Sequence, residues 1–193
     1  KTAFCTHYNT MLDSLRLAKK VSLKKTIAEA SGDFAIASLH RFETISKKKK
    51  LEQVVNKLIK ISKQIKIIFI LHPPTRVALK KAGLYDLLEK ESACQLLPRL
   101  GFFEFNHLLR KAKFIMTDGG SNQEECSYLG TPCLLFRSET ERMEGLNTNV
   151  VLSKFNSAII DDFVANYSKY RREPVSENLS PSHFIVDQLK EFI

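Results

Sequence analysis

The sequence predicts an α/β protein: a doubly wound, mainly parallel sheet with helices on both faces. Three observations predict it. Short apolar runs alternate with stretches of helical periodicity along most of the chain. The run Lys66–Leu71 is β-branched and almost continuously apolar, as suits a parallel strand covered on both sides. From Phe114 to Phe136 the chain reads strand, glycine-rich turn, helix, strand. Strands that alternate with helices close into a parallel sheet through crossover connections.

Taken in order, residues 1–10 lead in, and 11–30 read as largely helical, with Leu12, Leu15, Leu17 and Val21 on an apolar face. Ser31-Gly32-Asp33 breaks that helix, Phe34–Leu39 is a strand, and the loop after it carries His40. Lys49–Lys63 has apolar residues at Leu51, Val54, Val55, Leu58, Ile59 and Ile61, the spacing of an amphipathic helix. The strand Lys66–Leu71 ends at His72-Pro73-Pro74, and Thr75–Lys90 is helical with an interruption at Gly83. Cys94–Leu97 is a short strand and Phe103–Lys111 a helix. After the Phe114–Phe136 unit, Asn149–Leu152 is a strand, and Ser157–Tyr170 and Ser182–Phe192 are helices separated by a loop around Pro174 and Pro181.

The chemistry-bearing residues fall at strand ends. Asp118-Gly119-Gly120-Ser121 follows one strand and opens a helix. Such a turn points backbone N–H groups out of a helix N-terminus, a site for phosphate. A tight turn without ligand explains the glycines, but not the Gln123-Glu124-Glu125 that follows. Carboxylates early in that helix can accept hydrogen bonds from a ribose diol; acidic residues there also simply suit the helix dipole. His40 and His72 also lie just beyond strands, and in open α/β sheets ligands bind beyond the carboxyl ends of the strands.

The pattern D-x-G-x-x-Q-E-E, then L-G-x-P, then R-x-x-T-E-R-x-E resembles the sugar-nucleotide-binding segment of UDP-N-acetylglucosamine 2-epimerases. It is carried by Asp118, Gly120, Gln123, Glu124, Glu125, Leu129, Gly130, Pro132, Arg137, Thr140, Glu141, Arg142 and Glu144. Two further islands fit in order. His40-Arg41-Phe42-Glu43-Thr44 resembles the family's H-R-x-E-N element, and His72-Pro73-Pro74-Thr75-Arg76 its H-P-x-x-R element. The usual S-G-G order is G-G-S here, which moves the serine hydroxyl by two residues.

The resemblance implies a Rossmann-like sheet forming the C-terminal half of a GT-B-type two-domain fold. Residues 1–30 would then be an interdomain lead-in and helix, and 31–193 the UDP-sugar-binding domain. It implies that the backbone of Gly119, Gly120 and Ser121 takes the diphosphate, that Glu125 holds the ribose, and that Arg142 contacts the nucleotide. From spacing alone, Arg142 would pair with Glu139, Glu141 or Glu144; Glu124 makes an internal contact or replaces Glu125. His40 resembles a family histidine that touches phosphate and contributes to catalysis, although a lone histidine after a strand is often structural. Arg41 beside it suits an anion, and Glu43 would hold the loop. His72 is read as shaping its own loop. Phe105 resembles an aromatic position near uracil, and its spacing equally fits a core residue.

In the family, the reaction removes the proton at carbon 2, expels UDP, and adds UDP or water to the resulting glycal. The catalytic carboxylates belong to the other domain, so this chain alone is expected to bind UDP weakly and to be inert. The whole protein is expected to be a cytoplasmic homodimer. No cofactor and no metal is called for: the four cysteines, Cys5, Cys94, Cys126 and Cys133, form no C-x-x-C, and read as small hydrophobes in a reducing compartment.

The net charge of +9 and the Lys47–Lys50 run admit a nucleic-acid or membrane-surface reading. A solvated lysine-rich surface is the simpler account, because no aromatic residues interleave with the run. No apolar run approaches the roughly 18–20 residues of a membrane span, and no long apolar core follows Lys1. Neither nucleic acid nor membrane is therefore expected as a partner. Two other functions stay open. One is a GT-B glycosyltransferase, which shares the Gly-Gly turn and ribose-binding Glu, though the T-E-R-x-E and H-R-x-E islands favour the epimerase. The other is a non-enzymatic basic binding module, which would bind nucleic acid in a salt-sensitive way.

Overall fold

The short apolar runs become the strands β1 (Phe34–Ser38), β2 (Lys66–Leu71), β3 (Cys94–Pro98), β4 (Ile115–Thr117), β5 (Cys133–Leu135) and β6 (Val150–Leu152). In the computed structural model, which describes residues 3–22, 32–176 and 178–190, they form one sheet in the order β3-β2-β1-β4-β5-β6. Every pairing is parallel. All five residues of β1 are buried, because helices cover both faces.

Side chains alternate between those faces. Ala35 and Ala37 of β1, with Ile67 and Phe69 of β2, meet Val54 and Leu58 of α3 (Lys48–Ser62), Leu79 of α4 (Pro73–Ala82), Leu88 of α5 (Tyr85–Lys90) and Phe163 of α8 (Ser157–Asn166). Phe34, Ile36 and Ile68 point the other way. There they meet Leu12 and Leu15 of α1 (Met11–Lys20), Leu108 and Leu109 of α6 (Phe102–Lys111), and Cys126 and Leu129 of α7 (Gly120–Leu129). A single-turn α2 (Phe42–Ile45) follows β1, and α9 (Pro181–Lys190) ends the described chain.

The strand order runs outward in both directions from the β1–β4 pair. Crossovers therefore leave the two central strands toward opposite edges of the sheet, opening a crevice at their carboxyl ends. Ser38 pairs in register with Thr117, so the segments after β1 and β4 emerge side by side.

Several boundaries differ from the sequence reading. The first helix stops at Lys20, where Val21 turns extended; the remainder of the expected helix and the Ser31 break fall on residues 23–31, outside the described chain. Leu12 and Leu15 carry its apolar face, and Leu17 is 59% exposed, since it stands roughly 140° around the helix from Leu12. His72-Pro73-Pro74 ends β2 as expected, but the prolines also begin α4, where a missing N–H costs nothing. The last turn after α8, Tyr167–Tyr170, is 3-10 helix, and the final helix starts at Pro181, with Phe192 outside the described residues. Cys94, Cys126 and Cys133 are buried as expected, and Cys5 is exposed.

One glycine fixes how the C-terminal segment packs. Gly130 caps α7 in the left-handed region, with φ +67°. A Cβ there would run into the Arg172 carbonyl, because residues 172–175 pass directly across: Arg172 N–H donates to the Gly130 carbonyl at 3.0 Å and Val175 N–H to that of Tyr128 at 2.9 Å.

Candidate functional site at the sheet switch point

Asp118, fully buried at the end of β4, joins the two central strands. Its carboxylate accepts from the backbone N–H of His40 at 2.9 and 3.1 Å and of Arg41 at 3.0 Å. His40 Nδ1 lies 3.5 Å from Asp118 Oδ1. One buried charge thus satisfies the loop after β1 and sets where the His40 and Arg41 side chains begin. The sequence marked Asp118 as part of the motif without giving it this organising role.

The helix that follows is α7. Gly119 is its N-cap residue and no side chain caps it. The N–H groups of Gly120, Ser121 and Asn122 have no partner within the helix. Gly119 N–H does not join them, since it donates to Thr117 Oγ1 at 3.0 Å. The turn needs its glycines for close approach. A Cβ on Gly119 would come within 3.1 Å of His40 Cε1, and one on Gly120 within 2.7 Å of Arg142 Nε.

The Gln-Glu-Glu run does three different things. Gln123 is completely buried. Its amide N–H groups donate to the carbonyls of Arg142 and Glu144, both at 3.0 Å, and its oxygen accepts from Thr140 Oγ1 at 2.9 Å. The Thr140–Glu144 segment is thereby fastened to α7. Glu124 makes the internal contact foreseen for it: Oε2 lies 2.6 Å from Arg142 Nη1, and Oε1 accepts from the Tyr128 hydroxyl at 3.1 Å. Arg142 therefore pairs with Glu124, which corrects the expectation of Glu139, Glu141 or Glu144. The partner is 18 residues away, and only the fold brings it near. Arg137 is 7% exposed in its side chain; it pairs with Glu141 at 2.9 Å and lies 3.6 Å from Glu43, an ion pair between the start of α2 and the segment after β5.

Glu125 sits one turn into α7 and is only 5% exposed. Burial drives its carboxyl up to about 7; the hydrogen bond from Asn122 opposes that, Glu124 adds to it, and Asn106 opposes it. Glu125 stands behind Asn122, whose side-chain amide N–H donates to Glu125 Oε2 at 3.0 Å and which itself lines the cavity.

That cavity, about 410 Å³, collects the sequence-named residues His40, Arg41, Phe105, Gly119, Gly120, Ser121 and Arg142. It also takes in Ser38, His72, Arg99 and Asn122, which the sequence reading did not assign to a ligand. His72 is more than a loop former. Its ring stacks on that of His40, with centroids 4.4 Å apart, and its pKa is lowered, first by burial and then by His40 and Arg99, with Asp118 opposing. Position after β2 was the available signal for His72. Arg99 and Asn122 lay in unmatched positions and gave none. Phe105 is a wall of the cavity and also packs on the core beneath α6, so its reading as a core residue holds in part.

Among the described residues no group of three or more His, Cys, Asp or Glu side chains could hold a metal. Nor, among them, is any helix long and apolar enough to cross a membrane.

Comparison with known proteins agrees with this geometry. The family model described as UDP-N-acetylglucosamine 2-epimerase matches residues 6–181. A UDP-N-acetylglucosamine 2-epimerase homolog of Methanococcus maripaludis is 30% identical over 174 residues, covering 88% of this chain and 46% of the relative. The UDP-N-acetylglucosamine 2-epimerase of Methanocaldococcus jannaschii is 32% identical over 145 residues, covering 70% and 40%. The structure of UDP-GlcNAc 2-epimerase from the latter organism superposes with a TM-score of 0.80 at 27% identity, covering 95% of this chain and 55% of that one. Its complex with UDP-GlcNAc and UDP gives 0.78 at 26%, covering 95% and 54%. The chain spans about half the length of the curated relatives it matches, as expected of one Rossmann-like half of a two-domain fold. Motif, sheet order and these matches together make the chain a member of the UDP-N-acetylglucosamine 2-epimerase family.

Proposed function

We propose that this domain, residues 31–193 with α1 packed onto it, holds the nucleotide of a UDP-sugar for a 2-epimerase acting on UDP-N-acetylglucosamine or a close relative of it. One observation carries the reading. An uncapped helix N-terminus, three arginines and two histidines line a single cavity at the switch point, with a buried carboxylate one helical turn behind.

The diphosphate takes the N–H groups at the start of α7, which supply both donors and a favourable dipole. Glu125 accepts from the ribose hydroxyls, and Phe105 offers its ring to uracil. When the bond between the sugar and UDP breaks, negative charge grows on the diphosphate. Arg41, Arg142, His40 and the helix N-terminus stabilise that charge where it develops. Asp118 Oδ1 lies 3.5 Å from His40 Nδ1 and helps orient that ring, so His40 can serve as a hydrogen-bond donor near the leaving oxygen. Proton transfer at carbon 2 falls to groups outside this chain. The domain therefore serves the leaving-group side of an elimination, and returns UDP, or admits water, in the second step.

The test is calorimetric titration of UDP into the chain and into Glu125→Ala. Removing charged hydrogen bonds to the ribose is expected to cost about 1.5–3 kcal/mol. Equal binding by the two proteins would refute the site. Sugar transfer to an acceptor by the whole protein would move the reading to a glycosyltransferase.

A further inference from the structure

Resting on that reading of Glu125 as the ribose ligand, we propose that Asn122 is a positioning residue, which ties the Glu125 carboxylate to the phosphate turn and aims it at the ribose. A backbone N–H can only donate. Gly119 N–H donates to Thr117 Oγ1 at 3.0 Å. Thr117 is fully buried, so its own proton also needs a partner, and it donates to Asn122 Oδ1 at 2.9 Å. That bond fixes which end of the Asn122 amide is oxygen, an assignment otherwise left to the network. The amide nitrogen must then face Glu125, and it donates to Oε2 at 3.0 Å.

Four groups form a directed chain: turn N–H, threonine hydroxyl, asparagine amide, glutamate carboxylate. Asn122 and Glu125 are three residues apart on one helix, the spacing that brings side chains together. The chain has two consequences. Oε2 is held as an acceptor, so a proton on Glu125 goes to Oε1. The orientation of the carboxylate also depends on the turn that meets the diphosphate, so phosphate and ribose recognition share one framework.

The groups acting on Glu125 are few. On its own helix they are Asn122, Glu124, which is paired with Arg142, and Cys126; from α6 there is Asn106. Asn122 is the stronger of the two hydrogen-bonding influences that favour the ionised carboxylate.

The experiment uses Asn122→Ala, in which alanine suits a helix position, and Asn122→Ser, whose hydroxyl can still donate. Two measurements are made: titration of the Glu125 side-chain carboxyl by carbon-13 NMR, and the affinities of UDP and 2′,3′-dideoxy-UDP between pH 6 and 9. In Asn122→Ala the Glu125 midpoint should rise above that of the parent, and UDP affinity at pH 7 should fall roughly tenfold, the loss of about one charged hydrogen bond. Affinity for the dideoxy nucleotide should not change, and Asn122→Ser should recover part of both effects. An unchanged midpoint, or an equal loss for both nucleotides, overturns Asn122 as a positioning residue and leaves the ribose role of Glu125 standing. If the parent protein does not prefer UDP over its dideoxy analogue, the ribose role itself is wrong, and this inference goes with it.

Discussion

Replacing Glu125 by Gln should stabilise the unliganded protein at alkaline pH while weakening its hold on nucleotide. The magnitude comes from burial. The side chain is 5% exposed, and its carboxyl is raised from 4.5 to about 7, a difference of about 2.5 units. At 1.36 kcal/mol per unit this is about 3 kcal/mol. The sign follows from proton binding. Between pH 4.5 and 7 the folded state holds a proton that the unfolded state has released, so stability is greatest below the unfolded value and is lost as pH rises through the folded one. Glutamine imitates the protonated carboxyl and carries no such loss. The two proteins should therefore be similar near pH 4.5, and the variant more stable by about 3 kcal/mol at pH 8. For a chain of this size that corresponds to roughly 6–12 °C in melting temperature. Urea or thermal unfolding at both pH values measures it, and every other titrating group cancels in the comparison. Parallel stability curves, with a constant difference between the proteins from pH 4.5 to 8, would refute the buried-carboxylate argument.

Two glycines separate stability from binding. Gly130→Ala puts a side chain on a left-handed residue and against the Arg172 carbonyl. Strain and overpacking together should cost about 2–5 kcal/mol, read as a lower urea midpoint with an unchanged m-value. Gly120→Ala meets the movable Arg142 side chain at 2.7 Å. Its unfolding should shift less than that of Gly130→Ala, by about 1–3 kcal/mol, because displacing Arg142 leaves the buried Glu124 carboxylate short of a partner. Its UDP affinity should fall roughly tenfold as Arg142 is displaced, about the worth of one charged contact. A tight-binding Gly120→Ala would remove Arg142 from the site.

The sheet was legible because its strands are uniform apolar runs and its turns carry glycine and proline. Lys66–Leu71 could be read almost to the residue. The first helix ends at Lys20 although apolar residues continue past it, and its buried residues, Leu12 and Leu15, are those that face α6 and α7. The site was legible where it lies at strand ends, as with His40 and the Asp118 turn. What stayed hidden were long-range partners. Nothing in the spacing of Arg142 points to Glu124, and the crossing of β4 into α7 against the 140–144 segment is what unites them. Asn122 was hidden for the opposite reason, since a polar residue in an early helical turn looks like solvent-facing filler until Thr117 is seen above it.

The way Gln123 and Glu124 grip the 140–144 segment bears on how such a sequence can drift. These two side chains engage Thr140, Arg142 and the carbonyl of Glu144 at once. Losing any one partner strands buried polar groups on the other, a penalty larger than the bond itself. Substitutions at 123, 124, 140 and 142 should therefore be strongly epistatic: separately damaging, and tolerated together when both sides of a contact change. A lineage would keep or replace this lock as a unit, and the nucleotide cavity it shapes would change in steps, without a run of intermediates.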